Sequence, residues 1–308
     1  MTNASRRAAR GAIAAALAAV VAFGSVGQAA AADNPRRDAA AAAATGDPVL
    51  VGAGDIASCA NDGDRATARL VSSQPGTVFT VGDNAYAVGT EQEFLRCYGP
   101  TWGRFKDRTR PALGNHEYGS PGAKPYFAYF GASAGSPGRG WYAYNIGTWR
   151  IYVLNSNCSK VGCFRGSRQE RWLRADLTNH PHRCVLAYWH HPLFSSGRHG
   201  GQTLVRPFWD DLYRARAEVV INGHDHDYER FARMAPTGGR VVRGIREFVV
   251  GTGGVSHYRI KTLRKNSDAH DDATFGVLRV TLHPTSYSWE FVPVAGGSFT
   301  DSGSGNCI

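Results

Sequence analysis

Two histidines two positions apart, His224 and His226, follow the apolar run Val219-Val220-Ile221 in the stretch Gly223-His224-Asp225-His226-Asp227-Tyr228-Glu229-Arg230. Neutral imidazoles bind metals, and a strand that continued to His226 would send both rings to one side and Asp225 to the other. Taken alone, the stretch fits a polar loop with two solvated histidines about as well. Other apolar runs decide the matter. Pro48-Val49-Leu50-Val51-Gly52-Ala53-Gly54 ends in Asp55, and Thr77-Val78-Phe79-Thr80-Val81-Gly82 ends in Asp83, with Tyr86 three residues on. Arg110-Pro111-Ala112-Leu113-Gly114 ends in Asn115-His116-Glu117, and Cys184-Val185-Leu186-Ala187-Tyr188-Trp189 ends in His190-His191-Pro192. An aspartate after glycine is ordinarily a turn residue, and a lone Asn or His ordinarily satisfies backbone groups. Five such endings in one chain point instead to carboxylate oxygens and imidazole nitrogens gathered around a pair of cations that share a carboxylate.

The elements between these endings must bring them together. Asp64 could cap a helix over Ala66 to Ser72, which makes a strand-helix-strand unit long enough for parallel pairing and sets Asp55 and Asp83 at one sheet edge. Ser167-Arg168-Gln169-Glu170 reads as a capping box opening a helix with Trp172, Leu173 and Leu177 on its apolar side. A second helix is expected over Leu204 to Arg214. The aromatic, Gly-rich segment Tyr118 to Tyr142 reads as a long loop at a strand's carboxyl end, where open α/β sheets bind ligands. Beyond residue 245 the texture changes: Arg246 to Val250, Phe275 to Leu282 and Tyr287 to Val292 follow one another with no helix between. They read as an antiparallel meander supplying much of a second sheet, and Ala295 to Ile308 as a Gly/Ser loop held by Cys307. The expected class is α/β (α+β), with two packed mixed sheets flanked by helices in one domain over residues 46–308.

The first 32 residues carry Arg6, Arg7 and Arg10, an apolar run from Ala12 to Phe23 and small residues to Ala32, the pattern of a secretory signal peptide. The run is shorter than the roughly 20 residues that a bilayer needs, so no membrane span is expected. Ser5-Arg6-Arg7 admits twin-arginine export, although Ala8 and Ala9 stand where larger apolar residues would follow. Residues 33–45 are Ala-rich without an apolar period and read as a flexible mature N-terminus. Without the signal, 32 basic and 25 acidic residues leave a net charge of +7. That suits anionic substrates, but no Lys/Arg block interleaved with aromatics marks a nucleic-acid partner. Six cysteines in an exported chain suggest disulfides, and none has C-x-x-C spacing. Cys158 with Cys163 is expected as a local clip, with Cys59–Cys97 and Cys184–Cys307 as the remaining pairs.

Gly54-Asp55, Gly82-Asp83-x-x-Tyr86, Gly114-Asn115-His116-Glu117, His190-x-Pro192 and Gly223-His224-x-His226-x-Tyr228-Glu229-Arg230 together resemble the calcineurin-like metallophosphoesterases, and within them the purple acid phosphatase branch. Gln169-x-x-Trp172-Leu173 and Gly251-Thr252-Gly253-Gly254 are lesser likenesses. The wider superfamily usually opens with Asp-x-His, whereas the third position here is Ala57; the branch without that histidine has a tyrosine after its second aspartate, as Tyr86 is here. The resemblance implies an αββα sandwich with a dimetal site at strand ends. It implies Fe3+ held by Asp55, Asp83, Tyr86 and His226, and a divalent Fe, Zn or Mn ion held by Asp83, Asn115, His190 and His224, Asp83 bridging. Phenolate and carboxylates suit the harder ion, and tyrosinate-to-iron charge transfer would colour the protein purple or pink.

The activity so implied is hydrolysis of phosphate monoesters, from a phosphorylated small molecule or other organophosphate, by in-line attack of a metal-bound hydroxide. Phosphodiesterase activity on the same ligands, or a non-catalytic role in binding metal or phosphate, are the alternatives. His116 adjoins Asn115 and could donate a proton to the leaving group. His199, in Ser195-Ser196-Gly197-Arg198-His199-Gly200, resembles a helper histidine of some family members, and a solvated loop histidine fits it equally. His191 competes with His190 as a ligand, and the resemblance, with the family's one variable residue between ligand and proline, implies His190. Asp225 is expected to face away from the metals, Asp227, Glu229 and Arg230 to brace the loop, and His257 to be structural. The sequence does not set the oligomeric state.

Overall fold

The apolar runs become two facing sheets because their side chains alternate between two buried environments. In the structure, a computed structural model describing residues 46–308, β5 (Trp149–Val153), β6 (Cys184–Tyr188) and β7 (Val219–Asn222) lie parallel. Ile151, Leu186, Val219 and Ile221 point into the core between the sheets. Tyr152, Ala187 and Val220 join the opposite face, where Leu173, Phe208, Trp209 and Leu212 cover them. Strands buried on both faces read as continuous apolar runs, which is how these appear.

The first sheet has the order β13-β12-β11-β1-β2-β3. Here β1 is Val49–Ala53, β2 Thr77–Thr80, β3 Thr109–Pro111, β11 Gly276–Leu282, β12 Ser286–Pro293 and β13 Asp301–Asn306. Its β1-β2-β3 half is parallel and its β11-β12-β13 half antiparallel. The second sheet has the order β10-β8-β9-β7-β6-β5-β4, with β4 Tyr142–Ile146, β8 Tyr228–Met234, β9 Ile245–Val250 and β10 Ser267–Asp271.

The helix α1 (Gly63–Ser73) buries Asp64, Thr67, Ala68 and Val71, one stripe at helical spacing, and it starts before the expected Ala66. Its N-cap is Asp62; Asp64 lies in the first turn and accepts a 2.6 Å hydrogen bond from the Thr101 hydroxyl. The segment expected as a long aromatic loop contains α2 (Lys124–Phe130), whose Tyr126, Phe127 and Phe130 pack with Phe94 and Tyr98. On the outer face of the second sheet, α3 (Arg168–Asn179) is capped by the Ser167 hydroxyl accepting from Glu170 N, and α4 (Arg206–Arg214) follows a short helical turn over Thr203–Val205.

Two further expectations are corrected. The meander is divided: β9 pairs in parallel with β7 in the second sheet, whereas β11 pairs with β1 in the first sheet and β12 with β11. Both arrangements bury an apolar face, so the residue pattern alone does not choose between them. The tail is not only a loop, because Asp301–Asn306 forms β13 on the edge of β12. Its glycines allow the rings of Trp289 and Tyr287 to lie over Gly303 and Gly305. The disulfides are Cys59–Cys97, Cys158–Cys163 and Cys184–Cys307, the expected pairs. Among the described residues, no helix is long and apolar enough to cross a membrane. The expected signal peptide, residues 1–32, and the segment 33–45 lie outside the described residues.

Candidate metal centre

The polar strand ends meet at one edge of the sandwich, but they come from both sheets. Asp55, Asp83 with Tyr86, and Asn115 with His116 follow β1, β2 and β3 of the first sheet; His190, and His224 with His226, follow β6 and β7 of the second. Asp55, Asp83 and His224 have φ of 59°, 49° and 73°, a left-handed backbone that costs a non-glycine residue roughly 1–2 kcal/mol. The turns are held by Asp55 N donating to Gly82 O (3.1 Å) and Ile56 N donating to Asp83 O (3.0 Å). At Gly82, with φ 95°, a Cβ would lie 2.8 Å from His190 Nδ1 and 2.7 Å from Gly114 N, so only glycine lets these strand ends approach.

Backbone donors orient each carboxylate. His224 N donates to Asp55 Oδ2 (2.8 Å), which leaves Oδ1 facing the Tyr86 hydroxyl at 2.9 Å. His116 N donates to Asp83 Oδ1 (2.8 Å), which leaves Oδ2 at 3.1 Å from both the Tyr86 hydroxyl and His190 Nε2. His226 Nε2 lies 3.2 Å from the Tyr86 hydroxyl. On the other side, His190 Nε2 lies 3.0 Å from Asn115 Oδ1 and 3.2 Å from His224 Nδ1. His190 Nδ1 is 2.9 Å from Val81 O and His226 Nδ1 is 2.7 Å from the Ser256 hydroxyl, contacts that reserve each Nε2 as the inward lone pair.

His224 and His226 therefore divide between two clusters, which corrects the expectation that strand alternation points both rings the same way. The strand β7 stops at Asn222, and Asp225 N to Gly223 O and Asp227 N to Asp225 O close two tight turns in succession. Asp225 does face away, accepting from the Ser195 hydroxyl (2.5 Å), His199 N (2.7 Å) and Gly200 N (3.1 Å).

The electrostatics fit a site built for cations. Burial, reinforced by the charges of Asp55 and Asp83, holds the Tyr86 phenol well above its ordinary pKa. Burial opposes ionisation of Asp83, but His190 and His116 outweigh it and keep that carboxyl below its ordinary value. Burial would lower His190, yet Asp83 lifts it to about 9. Burial, then the neighbouring His190, lowers His191 to about 3 and pushes His224 down as well. The single Tyr86 hydroxyl proton faces two carboxylate oxygens and an imidazole nitrogen, a surplus of lone pairs that one proton does not satisfy. The donors fall into two sets, Asp55, Asp83, Tyr86 and His226, and Asp83, Asn115, His190 and His224, the first richer in oxygen and the second in nitrogen. Each could hold one cation.

His116 lies at the rim, one third exposed, with its ring 4.2 Å from that of Tyr86 and Nε2 3.7 Å from Asp83 Oδ2. Its Nδ1 is bonded to Ala87 O. His199 is exposed, its ring 4.5 Å from that of His224. His191 stands beside the second donor set, with a ring nitrogen within 4.8 Å of ring nitrogens of His190 and His224; its Nδ1 is 2.8 Å from the Ser156 hydroxyl, and its ring lies 4.4 Å from that of His224. His257 stacks on Phe275 at 4.0 Å and lies beside the backbone of His226.

Two contributors were given no role by the sequence reading. Tyr258 stacks on His226 at 4.0 Å, nearly parallel, with its N bonded to His226 O. Glu117 is fully buried and accepts from Asp83 N (3.1 Å), Asn84 N (2.7 Å) and Gly114 N (2.6 Å), which ties the β2 and β3 ends together. Burial and then Asp83 raise its carboxyl to about 7. The position of Glu117 straight after Asn115-His116 was a signal for it, whereas nothing local marked Tyr258.

A two-sheet sandwich with a paired donor set at the junction of its sheets is the class that fold and site define. The family model described as calcineurin-like phosphoesterase matches residues 45–228, more than half of the chain. An uncharacterized protein of Mycobacterium tuberculosis is 32% identical over 180 residues, covering 48% of this chain and 33% of the relative. The Fe(3+)-Zn(2+) purple acid phosphatase 12 of Arabidopsis thaliana is 30% identical over 196 residues, covering 55% of this chain and 40% of the relative. Purple acid phosphatase PPD1 from yellow lupin seeds shares the fold, with a TM-score of 0.68, 17% identity and coverage of 83% of this chain and 53% of that one. The chain belongs to the calcineurin-like phosphoesterase family, on the purple acid phosphatase branch. It spans only a third to two fifths of the length of these two curated relatives.

Proposed function

We propose that the protein is a secreted dinuclear metallophosphatase acting on phosphate monoesters, with Asp55, Asp83, Tyr86 and His226 holding Fe3+ and Asp83, Asn115, His190 and His224 holding a divalent Fe, Zn or Mn ion. The observation that carries the reading is Asp83 Oδ2, which stands 3.1 Å from both Tyr86 and His190 and so faces both donor sets with one oxygen. When bound, the two cations lower the pKa of water and neutralise phosphoryl oxygens. The chain's own residues do the rest. Asp55 and Asp83, each fixed by one backbone N–H, need no reorganisation to receive a cation. Tyr86 gives up its proton on binding. Tethering of His116 Nδ1 to Ala87 O turns Nε2 toward the centre, 3.7 Å from Asp83 Oδ2, where it can protonate a departing alkoxide. His199, its backbone held by Asp225, is positioned to donate to a phosphoryl oxygen. Arg198, exposed beside it, favours a doubly charged monoester over a singly charged diester.

Export is supported by the signal-peptide pattern and by three disulfides, which persist in oxidising compartments. The test is hydrolysis of p-nitrophenyl phosphate against bis-p-nitrophenyl phosphate by protein from the culture medium, with elemental analysis and a visible spectrum. Faster monoester cleavage with two metals per chain is expected. Preferential cleavage of the diester would make the protein a phosphodiesterase, and no hydrolysis by metal-replete protein would make it a binding protein.

A further inference from the structure

A cleft of about 490 Å³ opens beside the candidate centre, lined in part by Ser196, Arg198, Tyr258, Arg259 and Lys261. Tyr258 joins the two, because its ring stacks on His226 at 4.0 Å and carries the Arg198 guanidinium 5.3 Å from its centroid. Three cationic side chains border the cleft, and no carboxylate lines it. Arg259 is partly compensated by Asp272, 3.4 Å away, whereas among the described residues Arg198 and Lys261 have no ion-pair partner. The walls are braced. Arg264 N donates to the Ser196 hydroxyl and Arg264 Nε to Ser195 O, both at 2.8 Å, and Glu229 accepts from Ser196 N and its hydroxyl. These bonds tie the loop carrying Arg198 to the loop carrying Arg259 and Lys261, so the cations face a cleft that is already formed.

Such a cluster draws more than one negative charge, and a phosphate, with up to two charges and three free oxygens, meets several Arg and Lys donors at once. We propose that this cleft is a subsite for a second phosphate of the substrate, so that the preferred substrates carry two phosphates on separate carbons of one skeleton. The inference rests on the phosphatase reading above, which supplies the site for the first phosphate. Tyr258, between the first donor set and the cations, spaces the two anions and disfavours adjacent phosphates of a pyrophosphate.

The test is calorimetric binding of two non-hydrolysable ligands, pentane-1,5-bisphosphonate and pentylphosphonate, to the metal-replete full chain at fixed ionic strength. The bisphosphonate should bind about 10-fold more tightly, a modest gain because the cations are exposed. In the Arg259→Gln/Lys261→Gln double variant, the gap should close mainly by weaker bisphosphonate binding. Equal binding of the two ligands by the parent, or a gap that survives in the variant, overturns the subsite. A third ligand, 6-phosphonohexanoate, places a carboxylate where the second phosphonate would be; binding as tight as the bisphosphonate overturns the assignment to phosphate. Hydrolysis of p-nitrophenyl phosphate by the same preparation is the separate control. Its absence refutes the phosphatase reading, while the comparison of ligands still decides the subsite.

Discussion

Replacing Glu117 with glutamine tests whether the candidate centre is held by the protein itself. One carboxylate oxygen accepts from Asn84 N and Asn84 Nδ2, and the other from Asp83 N at 3.1 Å and Gly114 N at 2.6 Å. Glutamine keeps one acceptor oxygen but turns an NH2 group toward the second pair, so two buried backbone donors lose their partner. At roughly 1–3 kcal/mol for each orphaned buried donor, Glu117→Gln should cost about 2–6 kcal/mol. With about 2–4 °C per kcal/mol for a domain of this size, the melting temperature should fall by roughly 5–20 °C. Because these donors belong to the turns carrying Asp83 and Asn115, retention of metal should fall too. Thermal melts with and without EDTA, and metal content after dialysis, read both effects. A melt within about 2 °C of the parent together with two retained metals would refute the assignment of Glu117 as the tie between the β2 and β3 ends.

Four further outcomes follow from the same geometry. Metal-replete Tyr86→Phe should lose its visible absorption band, and a retained band would remove Tyr86 from the ferric site. His226→Ala and His224→Ala should each lose a different metal, with colour lost chiefly in the former; depletion of the same metal in both would merge the two sites into one. His116→Ala should lower kcat by about 10²–10⁴-fold with metal content preserved, and loss of metal would make it a ligand instead. Glu218, buried and accepting from Val185 N and Ile308 N, has its carboxyl raised by burial to about 7. A folded-state pKa above the unfolded value means that this group favours the fold below about pH 4.5, and that the contribution is lost as pH rises through 7. The loss is on the order of 3 kcal/mol; denaturant midpoints from pH 4.5 to 8 should flatten in Glu218→Gln, and an unchanged slope would locate the effect elsewhere.

The strand ends were legible because each ran apolar and then polar, four of the five with a glycine just before the polar group, and the continuous apolar run is what burial of both sheet faces imposes on the sequence. What joins them was less so. Nothing in Val49–Asp55 or Val219–His226 says that the first belongs to one sheet and the second to the other, since both are buried parallel strands with the same alternation. The two histidines were placed together by extrapolating β7, and a left-handed turn at His224 separated them. The likeness of the motifs anticipated that division, while residue periodicity did not. Tyr258 reaches His226 across 32 positions of intervening strand and loop, a contact made only by the folded chain. β13 went unread because its Ser and Gly residues carry no strand propensity; its pairing comes from the edge of β12 and the disulfide just beyond it.

That disulfide has a consequence for how the metals would be captured. Cys184 opens β6 and Cys307 follows β13, so the bond bolts one sheet to the other. His190 lies at the opposite end of β6, six residues or about 20 Å along the strand. The candidate cations would sit on the seam at that far end, where any sliding of one layer past the other pulls the oxygen-rich half away from the nitrogen-rich half. Oxidation thus acts as a rivet at one end of a seam whose other end is the vice. A chain that met its metals before the rivet was set would have to grip them with jaws still free to slip.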